Sequence, residues 1–266
     1  MPLAAANPGL ARALDGIAID SIEREHYADL LHNGAFRQSL LCRSERTPLG
    51  EPDLSLLDRF HAVTYLRPES PPVELAQGVP ARFVSSGVAT LETADPFLKA
   101  ALVVLAERSP EAVAVGELVR SLSLREAGAP GELVPRLGKG LMLAYATRLV
   151  ELFDHPPACA ARPGERPVAS PLARLQAARP SGPITTLHHL DARLTDPLAR
   201  HVLARLDGTR DLEALARESA EVLAAKGLMR DGEGKVVTDA ARVRAMVDEA
   251  IGAVLEGLAR SALLTA

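Results

Sequence analysis

The sequence contains no tryptophan, and aromatic residues make up only 3% of its 266 positions. A core of this chain therefore has to be built mainly from alanine and branched aliphatic side chains, which favours packed helices. The hydrophobic content of 47% is enough to bury a sizeable core. A chain of this length forms one large domain or two of ordinary size, and we expect two.

Cysteine is almost absent as well, since Cys42 and Cys159 are the only two in the sequence. Two distant cysteines are too few for a disulfide scaffold and lack metal-finger spacing. The seven histidines show no H-E-x-x-H pattern, so we expect no metal site. Cys42 follows Leu40 and Leu41, and we interpret it as a small core residue and not as a nucleophile.

Excess positive charge and long apolar runs are missing too. The formal net charge is −4, so nothing in the overall charge attracts a phosphate backbone. The first twenty residues lack a basic start followed by an apolar run, and no apolar stretch approaches the ~20 residues of a membrane span. We therefore expect a soluble cytoplasmic protein that does not bind membranes. We do not expect it to bind nucleic acid either.

Helix signals and prolines divide the chain into segments. Residues 1–21 are interpreted as a loosely held lead-in, and residues 22–157 as an N-terminal unit. Within that unit, residues from about 93 to 157 have the winged-helix order of three short helices followed by a strand. Residues 158–183 form a proline-rich connection, and residues 184–266 a second winged-helix-like unit. The predicted fold class is mainly α with short β strands (α+β), as tandem winged-helix-like units.

Local signals predict where several helices begin. Proline follows a capping aspartate at Asp95 and again at Asp196, which marks two helix starts. Ser109-Pro110 repeats this signal for a further helix. A glycine- and proline-rich break over residues 128–135 precedes the apolar helical segment 137–146.

One stretch, Glu25 to Arg43, combines several unusual residue choices and reads EHYADLLHNGAFRQSLLCR. It resembles a segment of bacterial S-adenosylmethionine-dependent methyltransferases with a predicted methyltransferase regulatory region, of which the protein lysine methyltransferases are best known. Their pattern is close to E-Q-Y-x-D-F-L-x-N-R-x-F-R-Q-T-L-L-C-H. It appears here with His26 in place of Gln, Leu30 in place of Phe, Gly34 in place of Arg and Arg43 in place of His.

Two later blocks extend the resemblance. Residues 166–177 read RPVASPLARLQA, which is similar to an R-P-x-A-S-P-L-A-R-x-Q-A block of the same enzymes. Residues 206–211 read LDGTRD, which looks like their L-D-G-T-R-D turn. The three ordered blocks span roughly Ile22 to the C-terminus. They resemble only the part of those enzymes that lies after the catalytic domain.

The catalytic part of the family has a physical signature that this sequence lacks. Such an enzyme needs a strand that ends in an acidic residue, followed by a glycine-rich turn of the E/D-x-G-x-G-x-G type, so that the backbone approaches the cofactor. The nearest stretches are Gly138-Lys139-Gly140 and Asp231-Gly232-Glu233-Gly234, which we interpret as turns or helix ends. We expect no catalytic or cofactor-binding residues, and hence no enzymatic activity by this chain alone.

The resemblance implies a non-catalytic module that regulates a protein methyltransferase or presents a protein substrate, with a catalytic subunit or that substrate as its partner. Candidate partner contacts are Phe36, Arg37, Gln38, His189 and Arg193, because a guanidinium and an amide beside an aromatic ring can hold a carboxylate or a backbone segment. For Arg37 and Gln38, a clamp within the domain is the other interpretation. A DNA-binding winged-helix regulator and a fragment of a full-length methyltransferase remain as alternatives.

Overall fold

The computed structural model describes residues 8–31, 41–46, 53–85, 89–125 and 130–266. The chain divides into two compact units, which are Met1–Asp53 and Leu54–Ala266. Helices alternate with short antiparallel strands, so the α+β class predicted from the sequence is confirmed.

The first unit contains a pair of helices, α1 (Pro8–Ile17) and α2 (Ser21–Leu31). The side chain of Arg24 on α2 donates a hydrogen bond from Nε to Oδ1 of Asp15 on α1 over 2.5 Å. Leu14 of α1 is buried. The segment 1–21, predicted as a loosely held lead-in, includes helix α1.

The second unit begins with a winged-helix-like half. Its elements are, in chain order, a 3-10 helix (Leu54–Arg59), β1 (His61–Val63), β2 (Arg67–Pro68), β3 (Ala81–Val84), β4 (Thr90–Thr93), α3 (Pro96–Arg108), β5 (Val113–Ala114), α4 (Val115–Arg125), α5 (Pro130–Ala146) and β6 (Glu151–Phe153).

This half contains two three-stranded sheets, of the orders β5-β1-β6 and β2-β3-β4, and the strands of both pair antiparallel. The order of α3, α4, α5 and then β6 is the winged-helix order predicted from the sequence. Strand β1, which precedes all three helices, takes the middle of the β5-β1-β6 sheet. Buried leucines of the three helices, including Leu102, Leu118 and Leu141, form the core beneath it.

Two helix boundaries differ from their predictions. Helix α4 begins at Val115 and not at Ser109-Pro110, because Ser109 ends α3 by donating its N–H to the Leu105 carbonyl. The predicted break over residues 128–135 is wrong from Pro130 onward, because α5 begins there and includes Pro135. Proline is acceptable in the first turn of a helix, which accounts for Pro130 but makes Pro135 an exception.

A buried lysine fixes the proline-rich segment between β2 and β3. Lys99 on α3 is fully buried, and its Nζ donates hydrogen bonds to the carbonyl oxygens of Glu74, Ala76 and Val79 over 2.7 to 2.8 Å. Three acceptors satisfy the three protons of an ammonium group, which offsets the cost of burying its charge.

The second half of the unit is also winged-helix-like. Its elements are α6 (Pro171–Ala177), β7 (Ile184–Thr185), β8 (Asp191–Ala192), α7 (Pro197–Leu203), α8 (Leu212–Ala225), β9 (Met229–Arg230), β10 (Val236–Val237) and α9 (Ala240–Arg260). The hairpin β9–β10 follows α8 in the position of a wing. Asp196, Asp211 and Asp239 cap α7, α8 and α9, and each accepts hydrogen bonds from the first turn of its helix.

Helix α6 lies within the predicted proline-rich connection, residues 158–183, yet it is part of the second core through Ala173 and Ala177. Arg200, a buried arginine on α7, binds the chain that follows α6. The guanidinium of Arg200 donates to the carbonyl oxygens of Gln176, Arg179, Gly182 and Leu194 over 2.9 to 3.3 Å.

Two of the three sequence blocks lie against each other in this half. The Ala169 N–H donates to the Leu206 carbonyl over 2.8 Å, and Val168 forms a β-bridge with Asp207. Gly208 has a φ of +83°, and a Cβ atom added to it would lie 2.9 Å from Cγ2 of Val168. The close approach of blocks 166–177 and 206–211 therefore depends on a residue without a side chain.

Replacing Gly208 with alanine should destabilise the protein by about 1–3 kcal/mol, because alanine is strained at this φ and its Cβ collides with Val168. Thermal unfolding measures the effect, and about 2–4 °C of the midpoint corresponds to each kcal/mol in a chain of this size. Gly252→Ala is the matched control. Gly252 is exposed within α9 with nothing near its Cβ position, so this change should stabilise by roughly 0.5–1 kcal/mol. Equal midpoints for the two variants would contradict the argument.

Candidate functional site

The residues predicted as partner contacts fall into two groups. Phe36, Arg37 and Gln38 lie outside the described residues. His189 and Arg193 are both exposed, on either side of β8 in sequence. His189 has a φ of +59°, a left-handed conformation that costs energy for a residue other than glycine. His189 and Arg193 thus remain accessible to a partner.

The prediction for Cys42 is wrong. It was expected in a core, but it is exposed within the described segment 41–46. Its thiol lies 3.7 Å from the Arg46 carbonyl oxygen, which it contacts as a weak donor. A neighbouring pair of leucines indicated burial, yet Leu41 is itself exposed.

The most developed polar site is centred on His188, which is only 2% exposed. Its Nδ1 lies 2.5 Å from the hydroxyl oxygen of Tyr65, and its Nε2 lies 3.3 Å from Sγ of Cys159. The imidazole also packs against the rings of Tyr65 and Phe153, with centroids 5.6 Å and 5.4 Å away. Both ring nitrogens therefore have partners, and the ring packs against two aromatic side chains.

The turn between β7 and β8 positions the imidazole. Oγ1 of Thr186 accepts the backbone N–H groups of His188 and Leu190, each over 3.2 Å. The Leu187 N–H donates to the carbonyl of Ala262 near the C-terminus over 2.8 Å. These bonds hold the turn rigidly, so that His188 points inward while the adjacent His189 stays exposed.

The partners of His188 come from both halves of the second unit. Tyr65 follows β1 and Phe153 ends β6, so both accompany the first sheet. Cys159 forms a β-bridge with Thr265 at the C-terminus, next to the second core. His188 therefore connects the two winged-helix-like halves through buried hydrogen bonds. We call His188, Tyr65, Cys159 and Phe153 the histidine joint.

Burial keeps the histidine joint uncharged. It raises the pKa of the Cys159 thiol to about 11 and lowers the pKa of His188 to about 4, although a hydrogen bond to the Pro110 backbone opposes the second shift. It also raises the pKa of Tyr65. A protonated thiol beside a neutral imidazole is not the activated nucleophile of a cysteine enzyme. The joint is built to hold two halves together and not to react.

Sequence reasoning missed this site. The spacing of the histidines and of Cys159 in the sequence excludes metal and disulfide patterns but does not predict a contact between His188 and Cys159. The contacts of His188 with Tyr65 and Cys159 join residues that are 123 and 29 positions apart. No local sequence pattern predicts contacts between residues so far apart. The only local sign of a buried histidine is that His188 lies beside apolar residues.

The helix before the wing is the one that reads DNA in helix-turn-helix proteins. Here it is α8, whose exposed side chains include Glu213, Arg217 and Glu221. In the first half, α5 exposes Arg136 and Lys139, but Arg136 forms an ion pair with Asp95 over 2.8 Å. Neither surface has the set of outward basic and amide side chains that DNA recognition requires.

The stretches nearest to a cofactor-binding turn have other structures. Gly138-Lys139-Gly140 lies inside α5, which corrects its interpretation as a turn or helix end. A Cβ added at Gly138 or Gly140 would lie 3.2 Å from Leu57 or Leu98, so these glycines allow close packing. Residues 231–234 form the turn between β9 and β10.

Within the described segments, no group of three His, Cys, Asp or Glu side chains is placed to hold a metal ion. No helix in the described part of the chain is long and apolar enough to cross a bilayer.

Acid should weaken the fold through the buried His188 and the partly buried His201. Burial lowers the pKa of His188 and His201 to about 4 each, whereas an unfolded histidine has a pKa of about 6.5. Between these values the unfolded chain binds protons that the folded chain excludes, so the free energy of unfolding falls as the pH falls. From pH 7 to pH 5, His188→Gln should lose roughly 1–2 kcal/mol less than the wild type in urea unfolding.

The exposed His155, whose side chain is 84% accessible, provides a matched His→Gln control for the substitution itself. The variant comparison cancels the acidic groups that titrate in the same range. Identical pH dependence of the wild type and His188→Gln would contradict a neutral, buried His188.

Comparison with known proteins gives a family match and a structural match. Residues 165–263 match the family model described as PKMT, C-terminal winged helix domain. The whole chain matches the structure of PKMT2 from Rickettsia typhi in complex with AdoHcy, with a TM-score of 0.79 and 23% identity over 100% of this chain and 53% of that one. A second structure of PKMT2 from Rickettsia typhi has a TM-score of 0.77 and 21% identity, over 97% of this chain and 52% of that one.

No curated protein sequence matches the chain. The chain spans about half the length of the two PKMT2 structures. The resemblance to the C-terminal region of protein methyltransferases is thus confirmed, by the family model for residues 165–263 and by the two structures for the fold of the whole chain.

Proposed function

We propose that this chain does not itself transfer methyl groups, and that it regulates a protein methyltransferase or presents a protein substrate to the catalytic body of one. The observation that carries this proposal is the extent of the structural match. All of this chain aligns with 53% of PKMT2, so nearly half of that protein has no counterpart here. We use "catalytic body" for the part of a methyltransferase that corresponds to this unmatched portion.

The local structure of the glycine-bearing stretches supports the same division. One of the matched PKMT2 structures contains AdoHcy. In the present chain, Gly138-Lys139-Gly140 is in the middle of a packed helix, and residues 231–234 connect two short strands. Neither is a turn between a strand and a helix at which a backbone approaches a cofactor. We therefore assign cofactor binding to the catalytic body.

The proposal includes a bacterial cytoplasmic setting, in which Cys42 and Cys159 stay reduced. His189 and Arg193, which are exposed, and Phe36, Arg37 and Gln38 are the proposed contacts to a protein partner.

Methylation with radiolabelled S-adenosylmethionine tests the proposal. The three samples are this chain, the portion of Rickettsia typhi PKMT2 outside the match, and both together, each with a bacterial protein extract as the methyl acceptor. The chain alone should transfer no label. Its addition to the catalytic body should change the rate or the set of labelled proteins by at least about fivefold, the lower end of ordinary coupling between sites.

Label transfer by the chain alone would contradict the non-catalytic assignment. A catalytic body whose rate and products are unchanged by the chain would contradict the regulatory or presenting role. His189→Ala with Arg193→Ala tests the proposed contacts, because this variant should reduce the effect of the chain while its unfolding midpoint stays the same.

The winged-helix fold favours one other function, sequence-specific DNA binding. The exposed face of α8 argues against it, since Glu213 and Glu221 stand where basic side chains are needed. We expect fluorescence anisotropy with duplex DNA to show no binding tighter than the ~10⁻⁶ to 10⁻⁴ M of non-specific association. Nanomolar binding that depends on DNA sequence would replace the methyltransferase proposal with a regulator of transcription.

A further inference from the structure

Helix α2 exposes its apolar side. Ile22, His26 and Leu30 are spaced four residues apart, so they share one face of the helix, and all three are exposed. The exposed fractions of Ile22 and Leu30 are 65% and 76%. A helix that packs only within its own unit should turn such residues inward.

Polar contacts join residues of the helix pair. Nε of Arg24 on α2 donates to Oδ1 of Asp15 on α1 over 2.5 Å, in an exposed contact. Glu23 accepts the backbone N–H of Ile19 over 2.7 Å and the hydroxyl of Tyr27 over 3.2 Å. Leu14 of α1 is buried beside these polar contacts, while Ile17, Ile22, Leu30 and Leu31 of the same two helices are exposed.

The described part of the first unit exposes further large aliphatic side chains. Ile17 ends α1, Leu31 ends α2, and Ile19 and Leu41 are 91% and 93% exposed. Among the described residues of the second unit, the most exposed large aliphatic side chain, Leu175, reaches only 62%. Single exposed leucines are ordinary, but this concentration within one small unit indicates a surface that another body covers.

The charge of the helix argues against a membrane as that body. Helix α2 carries Glu23, Glu25 and Asp29 against the single basic residue Arg24. Helices that lie on a membrane surface are rich in lysine and arginine beside their apolar face. An anionic helix is repelled by acidic lipids and suits a protein surface better.

The structural match indicates which protein covers these exposed side chains. The aligned part of PKMT2 corresponds to all of this chain, the first unit included, and the same protein contains a further portion of nearly equal size. A fold like this one thus occurs in one chain together with a further portion.

We propose that Ile17, Ile19, Ile22, Leu30, Leu31 and Leu41 form the docking surface for the catalytic body of a protein methyltransferase. This inference rests on the proposed function and adds the location of the contact. It places the contact on the first unit.

Calorimetric titration of the chain into the unmatched portion of Rickettsia typhi PKMT2 tests the docking surface. The double variant Ile22→Glu with Leu30→Glu should weaken binding on the order of 100-fold, because two aliphatic anchors lose their burial and two charges enter the contact. The matched control is Leu212→Glu with Leu228→Glu, which changes two exposed leucines of the second unit and should bind within about threefold of the wild type. Unfolding midpoints of both variants should equal that of the wild type, since the altered side chains are exposed.

Wild-type affinity in the Ile22→Glu, Leu30→Glu variant would overturn the docking surface and leave the proposed function standing. A wild-type chain that neither binds the catalytic body nor alters its methylation would overturn both. Light scattering addresses the remaining occupant, a second copy of this chain. A wild-type dimer that the double variant converts to monomers would show that the face joins two copies and would overturn the assignment to a catalytic body.

Discussion

The arrangement of the second unit depends on one buried imidazole. His188 bonds through both ring nitrogens, to the Tyr65 hydroxyl beside the first sheet and to the Cys159 thiol beside the second core. A neutral histidine has one donor and one acceptor nitrogen, and this joint uses both. Because these hydrogen bonds are buried, breaking one leaves polar groups that have neither a protein partner nor water to bind. The two winged-helix-like halves are consequently connected by a contact that tolerates little movement.

Two buried cationic side chains, Lys99 and Arg200, bind backbone carbonyl groups elsewhere in the same unit. Segments rich in proline cannot satisfy their carbonyl groups by pairing as strands, because proline has no N–H to contribute to a ladder. Lys99 and Arg200 supply the donors from neighbouring helices, with three and four carbonyl partners respectively. The blocks 166–177 and 206–211, which carry much of the resemblance to methyltransferases, are joined by backbone bonds and by the close approach at Gly208. The residues that carry this resemblance therefore have a defined structural role.

The sequence predicted the features that local chemistry determines. Aspartate caps at Asp95 and Asp196 specify where helices begin, and the winged-helix order follows from such signals. The predictions failed where distant contacts decide. Ser109-Pro110 predicts a helix start, but the chain that follows first forms β5. Val113 and Ala114 of β5 pair with β1. The histidine joint was not foreseen for the same reason, since its members are far apart in sequence and meet only in the folded chain.

The two units have complementary roles in the proposed module. The second unit provides two winged-helix-like halves joined at His188, and the first presents exposed aliphatic side chains on a helix pair. The central claim is that cofactor chemistry belongs to a body other than this chain. Isothermal titration of S-adenosylhomocysteine into the purified chain tests that claim most directly. We expect no saturable heat, and binding at a ratio of one cofactor to one chain would contradict it.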